Sequence, residues 1–117
     1  MDSEFSIKTE PRPHNVSSVM VSGRLDAQHA GKLMEHCQAL RDQGCRTLII
    51  NLSQVSFVAS SGVGTLLALT EEMKDVDGDL YLVSLSETVS SVLRLLKLSK
   101  FMSIAPSEAD VLATLSH

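Results

Sequence analysis

The sequence predicts an α/β fold: a mixed sheet of about five strands with helices packed on it. Three observations lead there. Short apolar or alternating runs of strand length recur between longer stretches whose apolar residues return at i, i+3, i+4 and i+7. The first two strand signals are separated only by a turn-rich loop, which makes them an antiparallel pair. Every strand after them is followed by a helical segment, the alternation that builds βα units. The expected order is β-β-α-β-α-β-α-β-α.

Phe5 to Glu10 alternates well enough for a short strand, which Pro11-Arg12-Pro13-His14-Asn15 breaks in a loop. Val16 to Ser22 is the returning strand, with Val19 and Val21 on one face and Met20 on the other. Gly23-Arg24-Leu25-Asp26 closes it, and Asp26 is a good N-cap for a helix over about Ala27 to Gln43. Ala30, Leu33, Met34, Cys37 and Leu40 make that helix's buried stripe, Gln28, Lys32, Glu35 and Asp42 its opposite side, and Gly44 its stop. Arg46 to Leu52 is a nearly unbroken apolar strand, as expected where both faces of a sheet are covered. It leads through a short polar turn into Val55-Ser56-Phe57-Val58.

The second helix is expected to start at Ser60-Ser61 and end near Lys74. Val63, Leu66, Leu67, Thr70 and Met73 form its inner stripe, which leaves Thr65, Ala68, Leu69 and Glu72 on the other side, with Leu69 facing outward. Asp75 to Asp79 is a solvated turn and Leu80 to Leu85 a strand. Ser86 and Glu87 begin a helix with Val89, Val92, Leu93 and Leu96 inward. Phe101 to Ile104 is a short last strand, and Pro106 to Leu115 a final helix with Ala109, Leu112, Ala113 and Leu115 apolar.

Composition narrows the function. At 117 residues the chain is one domain, and with 44% apolar but 3% aromatic residues its core is aliphatic. A net charge of −4 argues against direct nucleic-acid binding, which needs a cationic footprint. No apolar run approaches the length of a membrane-spanning helix, so no membrane insertion is expected. The acidic start MDSEFSIKTE is not a signal peptide, and the expected location is cytoplasmic. Cys37 and Cys45 stand eight apart with no CxxC pattern, which fits structural thiols rather than a disulfide framework or zinc site.

The chemistry-bearing features are few. Ser60 and Ser61 are presented where a strand hands over to a helix N-terminus, a place whose unpaired N–H groups and partial positive charge accommodate an anion. A phosphate there would add roughly −1.5 to −2 charges; a capping serine explains the same residues. A nucleotide loop is weaker, since no GxGxxG or GxxxxGK[ST] frame surrounds Ser60-Ser61-Gly62-Val63-Gly64. No GxSxG elbow or catalytic triad order is present. His14, His29, His36 and His117 lack a metal-ligand pattern, with His29 and His36 expected to face solvent, and Asp75, Asp77 and Asp79 lack the remaining ligands of a calcium loop. No cofactor, metal site or enzymatic activity is expected.

Taken together, the NLSQVSFVASSGVGTLL segment resembles the STAS domain of bacterial anti-sigma factor antagonists, the SpoIIAA and RsbV type. Val21-Ser22-Gly23-Arg24-Leu25-Asp26 is similar to that family's apolar-x-Gly-x-Leu-Asp segment. Leu82 to Ser86 and Leu98 to Ile104 are similar to its later strand, helix cap and final strand. The resemblance runs from about Ser6 to Leu115 and implies a STAS domain over residues 1–117. The family's Asp-Ser-Ser/Thr-Gly-apolar-Gly motif aligns without a gap on Ala59, Ser60, Ser61, Gly62, Val63 and Gly64, with Ala59 where the family has aspartate. The resemblance implies Ser60 as phospho-acceptor, with Ser61 as second choice. It implies partner switching in which the domain docks on an anti-sigma factor, often a serine kinase, phosphorylation breaks that complex, and a PP2C-type phosphatase restores it. Arg24, Asp26, Val58, Thr65 and Leu69 are the expected partner-binding surface. Two alternatives stand beside it: a STAS regulatory subunit of an anion or lipid transporter, and a small nucleotide-binding enzyme using the serine-glycine loop.

Overall fold

The computed structural model describes residues 4–115; His117 and the ends of the 1–117 span lie outside them. Five strands and four helices follow in the predicted order: β1 (Ser6–Arg12), β2 (Val16–Leu25), α1 (Ala27–Asp42), β3 (Thr47–Val58), α2 (Ser60–Asp75), β4 (Asp79–Val83), α3 (Glu87–Leu95), β5 (Ser103–Ala105) and α4 (Glu108–Leu115). A short 3-10 turn, Ser99–Phe101, precedes β5. The sheet order is β1-β2-β3-β4-β5, with β1 antiparallel to β2 and the other pairings parallel.

The helices divide between two faces. Leu33, Cys37, Leu66, Leu69, Met73, Val89 and Leu93 from α1, α2 and α3 pack on Val19, Val21, Leu48, Ile50 and Leu82 of the sheet. Val111 of α4 packs on the other face against Val16, Ile49 and Val83. Strand alternation delivers this split, since Leu48 and Ile50 point one way and Ile49 the other. Helix starts are chosen by caps. The Asp26 carboxylate accepts from the His29 N–H at 3.1 Å, Ser86 Oγ from the Val89 N–H at 3.3 Å, and Ser107 Oγ from the Asp110 N–H at 3.3 Å. Gly44, at φ 105°, lies just beyond the end of α1 in a left-handed conformation that costs a glycine little.

Several boundaries differ from the sequence expectation. The polar turn expected before Val55 is instead part of one twelve-residue strand. Two register shifts against β2, between Met20 and Ser22 and between Gly23 and Arg24, each insert an extra residue on the β3 side. The bulges explain why Leu52, Val55 and Val58 are all buried at a spacing of three rather than two. β1 continues through Pro11 to Arg12, which an edge strand tolerates. β4 ends at Val83 rather than Leu85, and Phe101 belongs to the 3-10 turn, which leaves β5 three residues long. Leu96 is not inward but half exposed beyond the end of α3, and α4 buries Val111 while Ala109 and Ala113 face out.

The two helical histidines are not solvent-facing. His29 is stacked on Phe5 with ring centroids 4.5 Å apart, and His36 Nε2 shares a hydrogen bond with Thr9 Oγ1. Cys37 and Cys45 are both free and buried. Desolvation, with a smaller contribution from Cys45, pushes the Cys37 thiol up to about 12, so it stays protonated and unreactive.

Candidate functional site at the start of the second helix

The junction between β3 and α2 is fixed by backbone pairing. Val58 pairs with Leu25, and the next N–H, that of Ala59, donates to the Leu25 carbonyl at 3.0 Å. Ala59 is the extended N-cap residue of α2 (φ −95°, ψ 171°), and its carbonyl accepts the Val63 N–H at 3.1 Å. A methyl side chain cannot cap, so the N–H groups of Ser60, Ser61 and Gly62 have neither an intrahelical partner nor a capping side chain. No carboxylate occupies the first turn.

The two serines are not equivalent. Ser60 is exposed at the rim, whereas Ser61 Oγ is buried without a hydrogen-bond partner. Nor are the two glycines. A Cβ on Gly62 would lie 2.5 Å from the Leu25 carbonyl oxygen, 2.8 Å from Leu25 Cγ and 3.1 Å from Val58 Cγ2, while a Cβ on Gly64 would meet nothing within 4 Å. Gly62 lets the helix sit down on the strand ends. Gly64, one turn after Ser60, leaves the outer surface bare.

Beside this helix start lies a rim built from β2, β3 and α1. The Arg24 guanidinium stacks over the Phe57 ring at 4.1 Å, and its Nε is 3.7 Å from an Asp26 carboxylate oxygen. His29 Nδ1 is 2.9 Å from the other Asp26 oxygen. Partial burial raises the Asp26 carboxyl, and the His29 backbone N–H together with its ring outweighs this, so Asp26 stays below its ordinary range. The cation–aromatic pair leaves Phe57 36% exposed.

Of the expected partner-binding residues, the structure brings only Arg24 and Asp26 to this surface. Val58, Thr65 and Leu69 are buried, at 7, 8 and 2% exposure, and their side chains are committed to the core. For Thr65 and Leu69 the reason is that α2 is covered on two sides, by the sheet and by α1. Glu72, on the same helical row as Thr65 and Leu69, accepts from Gln38 at 3.0 Å and from Arg41 at 2.7 Å, both on α1. Phe57 and His29 were missed; the signal for Phe57 was an aromatic beside a buried Val58 at a strand end. Among the described residues no group of three His, Cys, Asp or Glu side chains could hold a metal ion, and no helix is long and apolar enough to cross a membrane.

Comparison with known proteins places this geometry. The STAS domain model matches residues 7–111. The chain belongs to the STAS domain family. Among similar proteins of this family is the anti-sigma-B factor antagonist of Staphylococcus aureus, 27% identical over 86 residues that cover 74% of this chain and 80% of that protein. The anti-sigma factor antagonist SpoIIAA in its unphosphorylated form superposes with a TM-score of 0.80 at 26% identity, covering 95% of this chain and 96% of that one. The Bacillus cell fate determinant SpoIIAA in its phosphorylated form gives 0.73 at 25% identity, with 94% and 99% covered. The β3–α2 junction of this STAS domain therefore stands within a fold whose similar members include anti-sigma factor antagonists.

Proposed function

We propose that this STAS domain is an anti-sigma factor antagonist that works by partner switching, with Ser60 as its phospho-acceptor. The observation that carries the reading is the contrast between the two serines: the Ser60 side chain is open to a kinase, and Ser61 Oγ is closed off. Unmodified, the surface around Ser60, Gly64, Arg24 and Phe57 docks on an anti-sigma factor, and the sigma factor is released. A serine kinase, the anti-sigma factor itself in the simplest arrangement, phosphorylates Ser60. Roughly −1.5 to −2 charges then appear in the middle of the docking surface, and the complex dissociates through repulsion and desolvation. A PP2C-type phosphatase resets it. The domain itself binds and carries no catalysis, in the cytoplasm where these partners act.

The helix start is suited to both states. Its free N–H groups and uncapped Ala59 leave room for phosphate oxygens, with no first-turn carboxylate to oppose them. The test is phosphorylation of the full chain by its cognate kinase, with Ser60→Ala and Ser61→Ala as controls. Labelling lost in Ser60→Ala alone supports the reading. Labelling that survives in Ser60→Ala but is lost in Ser61→Ala moves the switch by one residue, and failure to bind any anti-sigma factor encoded nearby removes the function.

Ala59, standing where the resembling motif has aspartate, favours a second reading in which the domain binds without being phosphorylated, as a regulatory subunit of an anion or lipid transporter. Co-purification with membrane transport components, with no label on Ser60, would select it.

A further inference from the structure

Exposed apolar side chains and positive charge coincide along one stretch of the chain, at the end of α3 and the turn that follows it. Of the five large hydrophobic side chains exposed among the described residues, four fall within Leu95–Ile104: Leu95, Leu96, Phe101 and Ile104, at 81, 52, 55 and 39%. They occupy the end of α3 and its C-cap, the 3-10 turn and the edge strand β5. None is needed by the core, which takes Val89 and Leu93 from α3 and Met102 from the turn.

The same stretch carries one sign of charge. Between Glu87 and Glu108 there is no carboxylate, while Arg94, Lys97 and Lys100 supply three positive charges. Since the whole chain carries −4 and this stretch +3, the remainder carries −7. None of the three cations has a carboxylate partner among the described residues. Arg94 donates to Ser90 Oγ at 3.3 Å, and Lys100 Nζ lies 5.4 Å from the Phe101 ring centroid. Of the seven cations elsewhere, Arg12, Arg24, Arg41 and Lys74 are ion-paired, while Lys8, Lys32 and Arg46 have no carboxylate partner among the described residues. Lys97, at φ 55°, turns the chain sharply at the end of α3, so that Leu95, Leu96 and Lys97 form a corner.

We propose that this corner docks peripherally on an anionic lipid bilayer, with Leu95, Leu96 and Phe101 entering the headgroup layer and Arg94, Lys97 and Lys100 meeting lipid phosphates. An apolar tip ringed by long cationic side chains is the composition that binds in a membrane interface, where the stems lie along apolar surface and the charged ends reach the headgroups. A protein partner would need carboxylates opposite three separate cations and a cavity for Leu95, which stands four-fifths exposed. A bilayer supplies a plane of negative charge over a soft apolar layer and needs no such match. The acidic remainder sets the orientation. It is repelled by the same surface and turns the corner downward, while screening over about 8 Å hides most of its charge in a molecule 39 × 25 × 25 Å in extent.

The test is co-sedimentation of the full chain with phosphatidylcholine vesicles, with and without about 30 mol % phosphatidylglycerol, near physiological salt. The expected result is binding to the anionic vesicles only, reduced more than about ten-fold by Lys97→Glu with Lys100→Glu, and about ten-fold by Leu95→Ser with Phe101→Ser. Circular dichroism confirms that both double variants fold, and Lys32→Gln, which removes an exposed cation outside the corner, binds vesicles like the wild type. Wild-type protein that stays in the supernatant with anionic vesicles overturns the proposal, as does binding that survives both double substitutions. Absence of vesicle binding, together with weakened anti-sigma factor binding in the double variants, reassigns the corner to a protein interface.

Discussion

Replacing Gly62 and Gly64 in turn by alanine should shift stability in opposite directions, although the two glycines stand two residues apart in one helix turn. At Gly62 the new Cβ would lie 2.5 Å from the Leu25 carbonyl oxygen. That oxygen cannot retreat freely, because it accepts the Ala59 N–H at 3.0 Å and belongs to a strand paired with β3. Overpacking of this kind costs about 1–3 kcal/mol, and weakening the Ala59 bond adds about 1. The helix preference of alanine over glycine returns about 1 kcal/mol. The net expectation for Gly62→Ala is a loss of about 2 kcal/mol. At Gly64 there is no clash within 4 Å, so only the propensity gain remains, about 0.5–1 kcal/mol. Urea denaturation followed by circular dichroism should separate the two variants by about 3 kcal/mol, and thermal melting by roughly 10 °C. Shifts of the same sign, or a Gly62→Ala variant within about 0.5 kcal/mol of wild type, would refute the packing argument. If the bare helix surface at Gly64 is there for close approach, Gly64→Ala should weaken anti-sigma factor binding while remaining the more stable variant.

Ala59→Asp should raise stability by about 1 kcal/mol, because the residue already has the extended N-cap conformation and only the side-chain acceptor is missing; thermal melting checks it, with Ala59→Asn as the uncharged control. Ser61→Ala removes a buried hydroxyl without a partner, so it should be neutral or stabilising by up to about 1 kcal/mol in urea denaturation, where a buried bonded serine would lose stability. Glu108 anchors the start of α4 through Ser18 and Arg12; burial raises its carboxyl, and those two partners outweigh burial and hold it below the ordinary range. A depressed carboxyl contributes stability above its unfolded value, so the advantage of wild type over Glu108→Gln should be full near neutral pH and fade as pH falls below about 4.3, and a gap independent of pH would contradict the assignment.

What the sequence made legible was whatever depends on a single element's own periodicity. The α1 stripe, the Asp26 and Ser86 caps and the alternation of strands and helices all appear at the expected places. What it hid depends on neighbours. One helical period has one inner face, but α2 is covered twice, so Thr65 and Leu69 passed for surface. Ser60 and Ser61 are chemically identical in the chain, as are Gly62 and Gly64; burial distinguishes the serines, and the closeness of Leu25 and Val58 distinguishes the glycines.

The β3 bulges connect these failures to the site. With strict alternation after Leu52, the inward positions would be Gln54, Ser56 and Val58, and two polar side chains would enter the core at a cost of at least 1 kcal/mol each. The two inserted residues replace them by Val55 alone while restoring Val58 to the inward side. They also set Phe57 opposite Arg24 in the register, beneath its guanidinium, and bring the Ala59 N–H against the Leu25 carbonyl. That hydrogen bond and the Val63 N–H on the Ala59 carbonyl hold the strand end where α2 begins, with Ser60 turned to solvent and Ser61 inward. The polar spacing that looked like a turn is the device that places Ser60 on the rim.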